Sequence, residues 1–597
     1  MENREFYASV KAKYDEKYSS CLRMLTVLSF SRLIIFVAGI AGSILLFRLN
    51  DIAGIAFAVV SVFLFAVVIK RYSAREWERD YYRNLADINE DERVSLDGDY
   101  SRFNEGVQYI DPSHDFSHDT DIFGPGSLFQ YLNRTFSDSG SDMLAGWLSN
   151  PFFISDTFME RAAAVKELSP MVDWRQKFIA LGRMDRAGKK DRERLDDWLS
   201  GEPAFRNESS TRIISIVLPA LTLISLLLSI MRVLPYSVFI SLVLVNLGVL
   251  SLYLKRINRI HGMVSRQYSS LLTIKSLIEH IAVEKFESAC LRDIHRNMTE
   301  SRVKAISTIN ELAGIIKGFD IRLNMIMGVI LNGILMWDIQ SVLRLERWKR
   351  SVKVFIPGWF DDLARVDALV SLANYAFNNQ EFIYPDESES GFCIKSEGMG
   401  HPLIKRNVRV VNDFSIDHAG EIVIITGANM AGKSTFLRTV AVNLVLAMAG
   451  APVCAKRFTF TPSAIFSSMR TSDSLSENES YFYAELKRLK RLKERIEKGE
   501  KLFFILDEIL KGTNSKDKSE GSRLFIEKII SYNATGIIAT HDTSLGDLEQ
   551  GHPGTVRNLC FEISIDGDTV SFDYLLHPGI TTRMNAAILM RQQGIID

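Results

Sequence analysis

Four stretches of this chain contain no charged residue, and they limit the fold more than any other feature. Leu33–Phe47 holds 15 residues, Ile52–Ile69 18, Ile213–Met231 19 and Val233–Leu254 22. A helix needs about 20 apolar residues to cross a bilayer, with about 17 as the lower limit. The last two stretches satisfy that requirement, the second meets it, and the first falls just short. The links Arg48–Asp51 and Arg232, with Pro235 close behind, permit only tight antiparallel hairpins. Buried core helices would keep a polar face, whereas these stretches carry only scattered Ser, Thr, Asn and Gly. Lys11, Lys13, Lys17, Arg23 and Arg32 precede the first stretch, Lys70, Arg71, Arg75 and Arg79 follow the second, and Lys255, Arg256 and Arg259 follow the fourth. By the positive-inside rule the turns lie outside, with both termini and all large segments in the cytoplasm. The expectation is a multi-pass protein of the cytoplasmic (inner) membrane, held by four helices. Met1–Lys11 is polar and charged, with no cleavage site after it, and does not read as a removed signal peptide. A fifth run, Ile326–Trp337, has twelve residues including Asn332. It is too short to span, and a packed helix is expected.

The remainder reads as cytoplasmic and soluble. A mean hydropathy of +0.04 is therefore an average over two kinds of segment. Lys and Arg number 71 against 72 Asp and Glu, so no whole-chain charge points to a nucleic-acid partner. Five scattered cysteines without a C-x-x-C pair argue against a zinc site or disulfide framework. Five segments are expected: 1–75 with the first hairpin, 76–210 as a pre-lever and first helical segment, 211–256 with the second hairpin, 257–385 as continuing helices, and 386–597 as an α/β domain. The last boundary follows the acidic, turn-rich Pro385–Gly391. Beyond it, short apolar runs alternate with helices, the signature of a parallel-containing sheet.

Within that domain Glu421–Thr426 reads as a buried strand. Gly427, Ala428, Asn429, Met430, Ala431, Gly432, Lys433 and Ser434 follow at once and fit G-x-x-x-x-G-K-[ST], and a helix opens at Thr435. Strand, glycine loop and helix together are the context in which this motif cradles phosphates. The glycines let backbone N–H groups turn inward, and the helix N-terminus adds positive charge. Lys433 is expected to neutralise the β- and γ-phosphates of ATP and Ser434 to complete a Mg²⁺ shell. A second buried run, Leu502–Leu506, ends in Asp507 and Glu508. Asp507 suits Mg²⁺ through water, and Glu508 suits activation of the attacking water. A third, Gly536–Thr540, ends at His541, placed to sense a γ-phosphate. Lys487–Lys498 carries seven Lys/Arg in twelve positions, with Leu486, Leu489, Leu492 and Ile496 on one face. Interrupting acids and the absence of interleaved aromatics make it a solvated amphipathic helix rather than a nucleic-acid patch.

These motifs together resemble the MutS family of ABC ATPases. Asn429-Met430 inside the loop matches that family's form. Ile465-Phe466, Ser472-Asp473 and Ser480 through Glu485 are similar to its signature block, Gly512–Asp517 to the loop after its acidic pair, and Ala539-Thr540-His541 to its switch. His401–Ile404, Asn412-Asp413, Tyr574-x-Leu576, Pro578-Gly579 and Asn585-Ala586 resemble the family's entry and closing segments. Upstream, Gly140-Ser141, Trp147-Leu148, Arg161 and Asp367–Leu369 resemble its lever helices. The resemblance covers about 120–200 and 258–597. It implies ATP hydrolysis in a head-to-tail homodimer, with Ser480 reaching the partner's γ-phosphate. Asn478-Glu479 departs from the family's Gly-Arg before that serine.

The resemblance also implies DNA as a partner, though not mismatch specificity. The family's mismatch-reading Phe-x-Glu is matched only by Phe103-Asn104-Glu105 and Phe158-Met159-Glu160, which are read as coincidences. The first hairpin stands where the mismatch domain is expected, and the second where the DNA clamp is expected. The leading expectation is a membrane-anchored MutS-like ATPase. The alternatives are half of an ABC transporter, which predicts nucleotide-driven flux, and a true mismatch- or branched-DNA-binding repair factor.

Overall fold

A computed structural model describes residues 2–152, 158–184, 198–199, 201, 204–205, 208–353, 355–389, 391–470, 481–566 and 569–582. The chain is mostly helical, with two mixed sheets. Helices α1 (Glu2–Phe47), α2 (Asp51–Leu96), α3 (Leu128–Leu132), α4 (Asp138–Ser149), α5 (Phe158–Leu168) and α6 (Val172–Gly182) come first. They are followed by α7 (Glu208–Ile230), α8 (Tyr236–Val283), α9 (Ala289–Asp320), α10 (Met325–Leu335), α11 (Trp337–Val352) and α12 (Ile356–Asn378). Contacts divide the chain into two units. One holds Met1–Arg93, Thr135–Gly140 and Asp173–Asp367, and the other Val94–Arg134, Ser141–Val172 and Ala368–Asp597. These units cut across the five segments expected from the sequence.

The first unit carries all four uncharged stretches. Each lies in a helix long and apolar enough to cross a membrane. In their most apolar windows only 6%, 6%, 28% and 11% of residues are buried, so these are not core helices. In the first hairpin the glycines permit close approach: a Cβ on Gly39 would lie 3.0 Å from Ser61 Cβ, and one on Gly42 would overlap the Phe57 ring. Asn50 starts α2 by accepting the Ile52 N–H at 2.8 Å.

In the second hairpin the buried residues of α7 are Thr211, Ser215, Pro219, Thr222, Ser225 and Ser229, while Ile213, Ile216, Val217, Ile224 and Leu227 are exposed. The polar side chains bond mainly within the helix, Thr222 Oγ1 donating to Leu218 O and Ser225 Oγ to Thr222 O. Buried Asn246 of α8 donates to Thr222 Oγ1 at 3.0 Å and to Gly333 O of α10 at 2.7 Å.

The fifth apolar run differs from its expectation. Only one face of α10 is packed, and Ile326, Met327, Val329 and Ile330 are exposed. The helix stops at Leu335, where Met336 takes a φ of 51°. Asn332 closes the bend by accepting the Asp338 N–H at 2.9 Å, and α11 leaves at 76°. Arg322 and Asp338, one from each flank of α10, pair at 3.3 Å.

The second unit is built on a six-stranded sheet of order β10-β9-β4-β8-β7-β6. Its strands are β4 (Ile422–Gly427), β6 (Ala464–Ser468), β7 (Leu502–Asp507), β8 (Thr535–Thr540), β9 (Val556–Asp566) and β10 (Thr569–Pro578). All pairings are parallel except β10 with β9. β4, β6 and β8 are buried throughout, as parallel strands covered on both faces require. A smaller sheet, β1-β5-β2-β3, joins β1 (Asp386–Glu387), β2 (Ile394–Met399), β3 (Asn412–Ile416) and β5 (Arg457–Phe460). Between these strands run the helices α13 (Lys433–Ala449), α14 (Tyr481–Glu497), α15 (Ser515–Ile530) and α16 (Leu548–Gly551).

Residues 94–134 join this unit because buried Asp119 ties them to it. Its carboxylate accepts from Ser467 Oγ at 2.7 Å, from the Met469 and Arg470 N–H groups, and from Arg488. Arg491 and Arg495 pair with Asp115. The arginines of α14 are thus docked on Ser113–Asp119, where a solvated face was expected. Lys490 and Lys493 keep the surface i,i+4 pairing. Neither Phe-x-Glu motif presents a wedge: Phe103 is buried beneath the Arg134 guanidinium, and Phe158 packs on Phe460.

Candidate active site

The phosphate loop runs from the end of β4 to the start of α13. Met430 has a φ of 66° and protrudes, and Gly432 has a φ of 105°. Glycine is required at 432 twice over, since a Cβ there would also lie 3.1 Å from the Tyr574 ring. Gly432 caps α13 with no side-chain hydrogen bond, so the first N–H groups of that helix face the loop. At the other end buried Arg161 donates to the Ala449 and Met448 carbonyls at 3.2 and 2.7 Å, complementing the helix dipole.

Lys433 curls back into the loop and donates to Gly427 O at 2.7 Å and Ala428 O at 3.0 Å. Burial pulls its ammonium down to about 8, against the opposing pull of Asp507 and Glu508. His541, at the end of β8, lies 3.2 Å from Lys433 Nζ. Burial, and then the Lys433 charge, depress the imidazole below its ordinary value, so it is neutral at pH 7. Ser434 Oγ donates to Asp507 Oδ2 at 2.5 Å. A hydroxyl beside a carboxylate is a hard-oxygen pair that fits Mg²⁺.

Glu508 follows Asp507 with a φ of 54°, and Leu510 has 60°, both unusual for residues with side chains. Two contacts hold this strained turn. The Glu508 N–H donates to Ala539 O at 2.8 Å, and Glu485 of α14 accepts the Leu510 and Lys511 N–H groups at 2.6 and 3.0 Å. Gly512 lets α14 approach, since a Cβ there would lie 2.9 Å from Phe482 Cβ. Lys518 pairs with Glu508 Oε1 at 2.5 Å. Burial alone would raise the Glu508 carboxyl. Lys518, with help from His541 and Lys511, outweighs it and holds the carboxyl below its usual range.

Residues Ala428–Thr435, Asp507, Glu508 and His541 line one cavity of about 660 Å³. Gly427 adjoins it through Lys433. Ser480 and the rest of 471–480, including Asn478-Glu479, lie outside the described residues, as does Asn585-Ala586. Sequence reasoning missed the far wall. Val408, Val410, Asn412, Phe436 and Tyr574 also line the cavity and make one side of it largely apolar. Asn412 bonds both Tyr574 O and the Leu576 N–H, fixing the bulge that brings Tyr574 over the loop. The sequence signal was there in Asn412 and Tyr574, noticed only as points of resemblance.

Strand, glycine loop and helix, flanked by parallel strands that end in Asp-Glu and His, define a phosphate-loop α/β domain. Residues 423–590 match the MutS domain V family. The chain is 31% identical over 240 residues to the DNA mismatch repair protein MutS of Thermotoga maritima, covering 40% of this chain and 30% of that protein. It is 34% identical over 219 residues to the DNA mismatch repair protein MutS of Lachnoclostridium phytofermentans, covering 35% and 23%. To MutS protein homolog 4 of Mus musculus it is 28% identical over 235 residues, covering 38% and 24%. The chain thus spans under a third of the length of these curated relatives. The protein is MutS-like.

Proposed function

We propose that this chain is a membrane-anchored MutS-like ATPase. It hydrolyses ATP with Mg²⁺ where two copies meet, and it passes that closure through its helices to the membrane hairpins and to DNA. The observation that carries the ATPase reading is the convergence of Lys433, Ser434, Asp507, Glu508 and His541 on one cavity.

Lys433 neutralises the β- and γ-phosphates once its ammonium turns away from the Gly427 and Ala428 carbonyls. The N–H groups of the first turn of α13 hold phosphate oxygens. Ser434, and Asp507 through water, would hold Mg²⁺, which supplies charge neutralisation at the phosphates. Glu508 orients water and accepts its proton. To do so it must leave Lys518, whose ion pair keeps the carboxylate ionised in the resting chain. Neutral His541, beside Lys433, is placed to donate to a γ-phosphate oxygen. Ser480 of a second copy supplies the remaining contact.

Membrane anchoring is supported by the length of the four helices, by their outward apolar faces, and by the basic residues at their cytoplasmic ends. DNA as a partner is supported by the similarity to DNA mismatch repair proteins, without mismatch recognition being carried over.

The test is the ATPase rate of the full chain reconstituted in bilayers, with no DNA and with homoduplex, mismatched, branched and single-stranded DNA. Glu508→Gln is expected to lower the rate by about 10²- to 10⁴-fold. A wild-type rate in that variant overturns the assignment. Equal rates with and without every DNA remove DNA from the proposal.

A further inference from the structure

We infer that a cavity at the foot of the second hairpin binds the phosphate of an anionic phospholipid. This rests on the membrane reading above and adds a ligand to it. The cavity, about 200 Å³, lies between the first turns of α7 and the middle of α11. Arg212, Arg344 and Arg347 line it together with Ser215 and Gln340. Its one carboxylate, Glu208, is already engaged by Arg350 at 2.5 Å. Among the described residues no ion pair engages Arg212, Arg344 or Arg347, and Arg344 rests over the Trp337 ring at 5.4 Å. Three guanidinium groups around a small cavity are an unbalanced positive charge, in the fork geometry that matches phosphate oxygens.

Position selects the source of that phosphate. Arg212 directly precedes Ile213, the first residue of an uncharged stretch of 19. Gln340 Nε2 donates to Ser215 O at 3.1 Å, which fixes α11 against α7 at this level. The cavity is completed by Ile216, 60% exposed on the outward face of α7, and by Leu343. The site therefore sets cations on one side and an outward apolar lip on the other. A phosphodiester with acyl chains matches both halves, whereas a soluble phosphate ester matches only the first. The cytoplasmic leaflet, where anionic lipids attract basic residues, is the side on which the basic flanks place this end of α7.

The test uses the full chain in nanodiscs of phosphatidylcholine with a minor share of phosphatidylglycerol, released and weighed by native mass spectrometry. The wild type is expected to retain phosphatidylglycerol above its bulk share. Arg344→Gln/Arg347→Gln is expected to lose that excess, by about fivefold for each charge removed. Arg344→Lys/Arg347→Lys should keep part of it, because charge remains while the fork is lost. Unchanged melting and unchanged incorporation of the variants show that folding is intact. Retention by the glutamine variant equal to wild type overturns the site. Displacement of the lipid by glycerol phosphate or by a short duplex, at matched phosphate concentration, overturns the lipid assignment in favour of a soluble anion or nucleic acid. Failure of the wild type to enter nanodiscs would remove the membrane reading itself, a result distinct from the other two.

Discussion

Helices α13 and α7 are both rich in apolar residues, yet they hide opposite kinds of side chain. In α13 Leu437, Val440, Leu444 and Val445 are buried inside the second unit. In α7 it is Thr211, Ser215, Thr222, Ser225 and Ser229 that turn inward, while Ile213, Ile216, Ile224 and Leu227 face out. Water drives apolar residues into α13's core. On the membrane reading proposed above it has no such hold on α7: in surroundings that are themselves apolar, small and hydrogen-bonding residues decide which faces meet. Composition is therefore a poor guide to burial, and the identity of the inward residues is a good one.

The largest expected effect separates the two helices directly. Leu444→Ala should destabilise the second unit by about 2–5 kcal/mol, because it opens a cavity in a packed core. Leu227→Ala, which removes only an outward contact, should change stability by less than about 0.5 kcal/mol. Denaturation in one detergent measures both. Equal losses would mean that Leu227 has a protein neighbour, and the contrast would collapse. Leu227→Arg should instead cost about 2.5–3.5 kcal/mol in membrane insertion, read by an insertion assay.

A second effect tests how the site in the packed unit is held. Glu485→Gln weakens a carboxylate that accepts two N–H groups of the strained turn after Glu508. A loss of about 1.5–3 kcal/mol at that turn is expected, because each bond is charge-assisted. The reading is a lower melting temperature together with a lower ATPase rate and little change in nucleotide affinity. An unaltered rate would show that Glu508 needs no support from α14.

What could be read in the sequence follows the range of the contacts. The phosphate loop was legible because strand, loop and helix are contiguous from Glu421 to Ala449. Asp507, Glu508 and His541 were legible because each closes a short apolar run. Glu485 was noticed only as part of a resembling block. Its role depends on the distant Leu510 and Lys511, and no local pattern announces it. Asp119 was missed for the same reason, and with it the joining of 94–134 to the second unit. The arginines of α14 read as a solvated face because Ser113–Asp119 gave no sign of being opposite. The fifth apolar run was legible as a helix, but its half-exposed surface was not, since twelve residues do not reveal which face is covered.

A smaller effect concerns charge in the nucleotide site. With the Lys433 ammonium pulled down to about 8, the nucleotide-free site is charged below that pH and loses its charge as pH rises through it. Nucleotide phosphates must then restore the proton, so binding should take up a proton near and above pH 8. Affinity should fall by up to about tenfold per pH unit beyond it. The stability sign is the reverse: the free folded chain binds fewer protons than the unfolded chain between about 8 and the ordinary lysine value, so its stability rises with pH across that window. Calorimetry in buffers of different ionisation enthalpy measures the uptake. Binding without proton exchange at pH 8 would mean that the ammonium is charged throughout.

The smallest effect lies on the other side of the comparison. If polar contacts decide packing in the first unit, Asn246 is where the decision is made, because its amide reaches both Thr222 of α7 and the Gly333 carbonyl of α10. Asn246→Val keeps the bulk near the branch point and removes both bonds. In a water-driven core, exchanging a buried amide for valine could be neutral, because apolar contact would replace it. If the hairpin lies in lipid, as proposed, lipid competes equally well for the valine and the lost bonds are not compensated. About 0.6–1.7 kcal/mol should be lost, the range for hydrogen bonds between membrane helices. The sensitive readout is the exposure of α10: a cysteine at half-buried Ile334 should become more reactive when Asn246 is valine. Asn246→Val that leaves both the stability and that reactivity unchanged would mean that α10 is held by apolar packing alone. The second hairpin would then obey the same rule as α13.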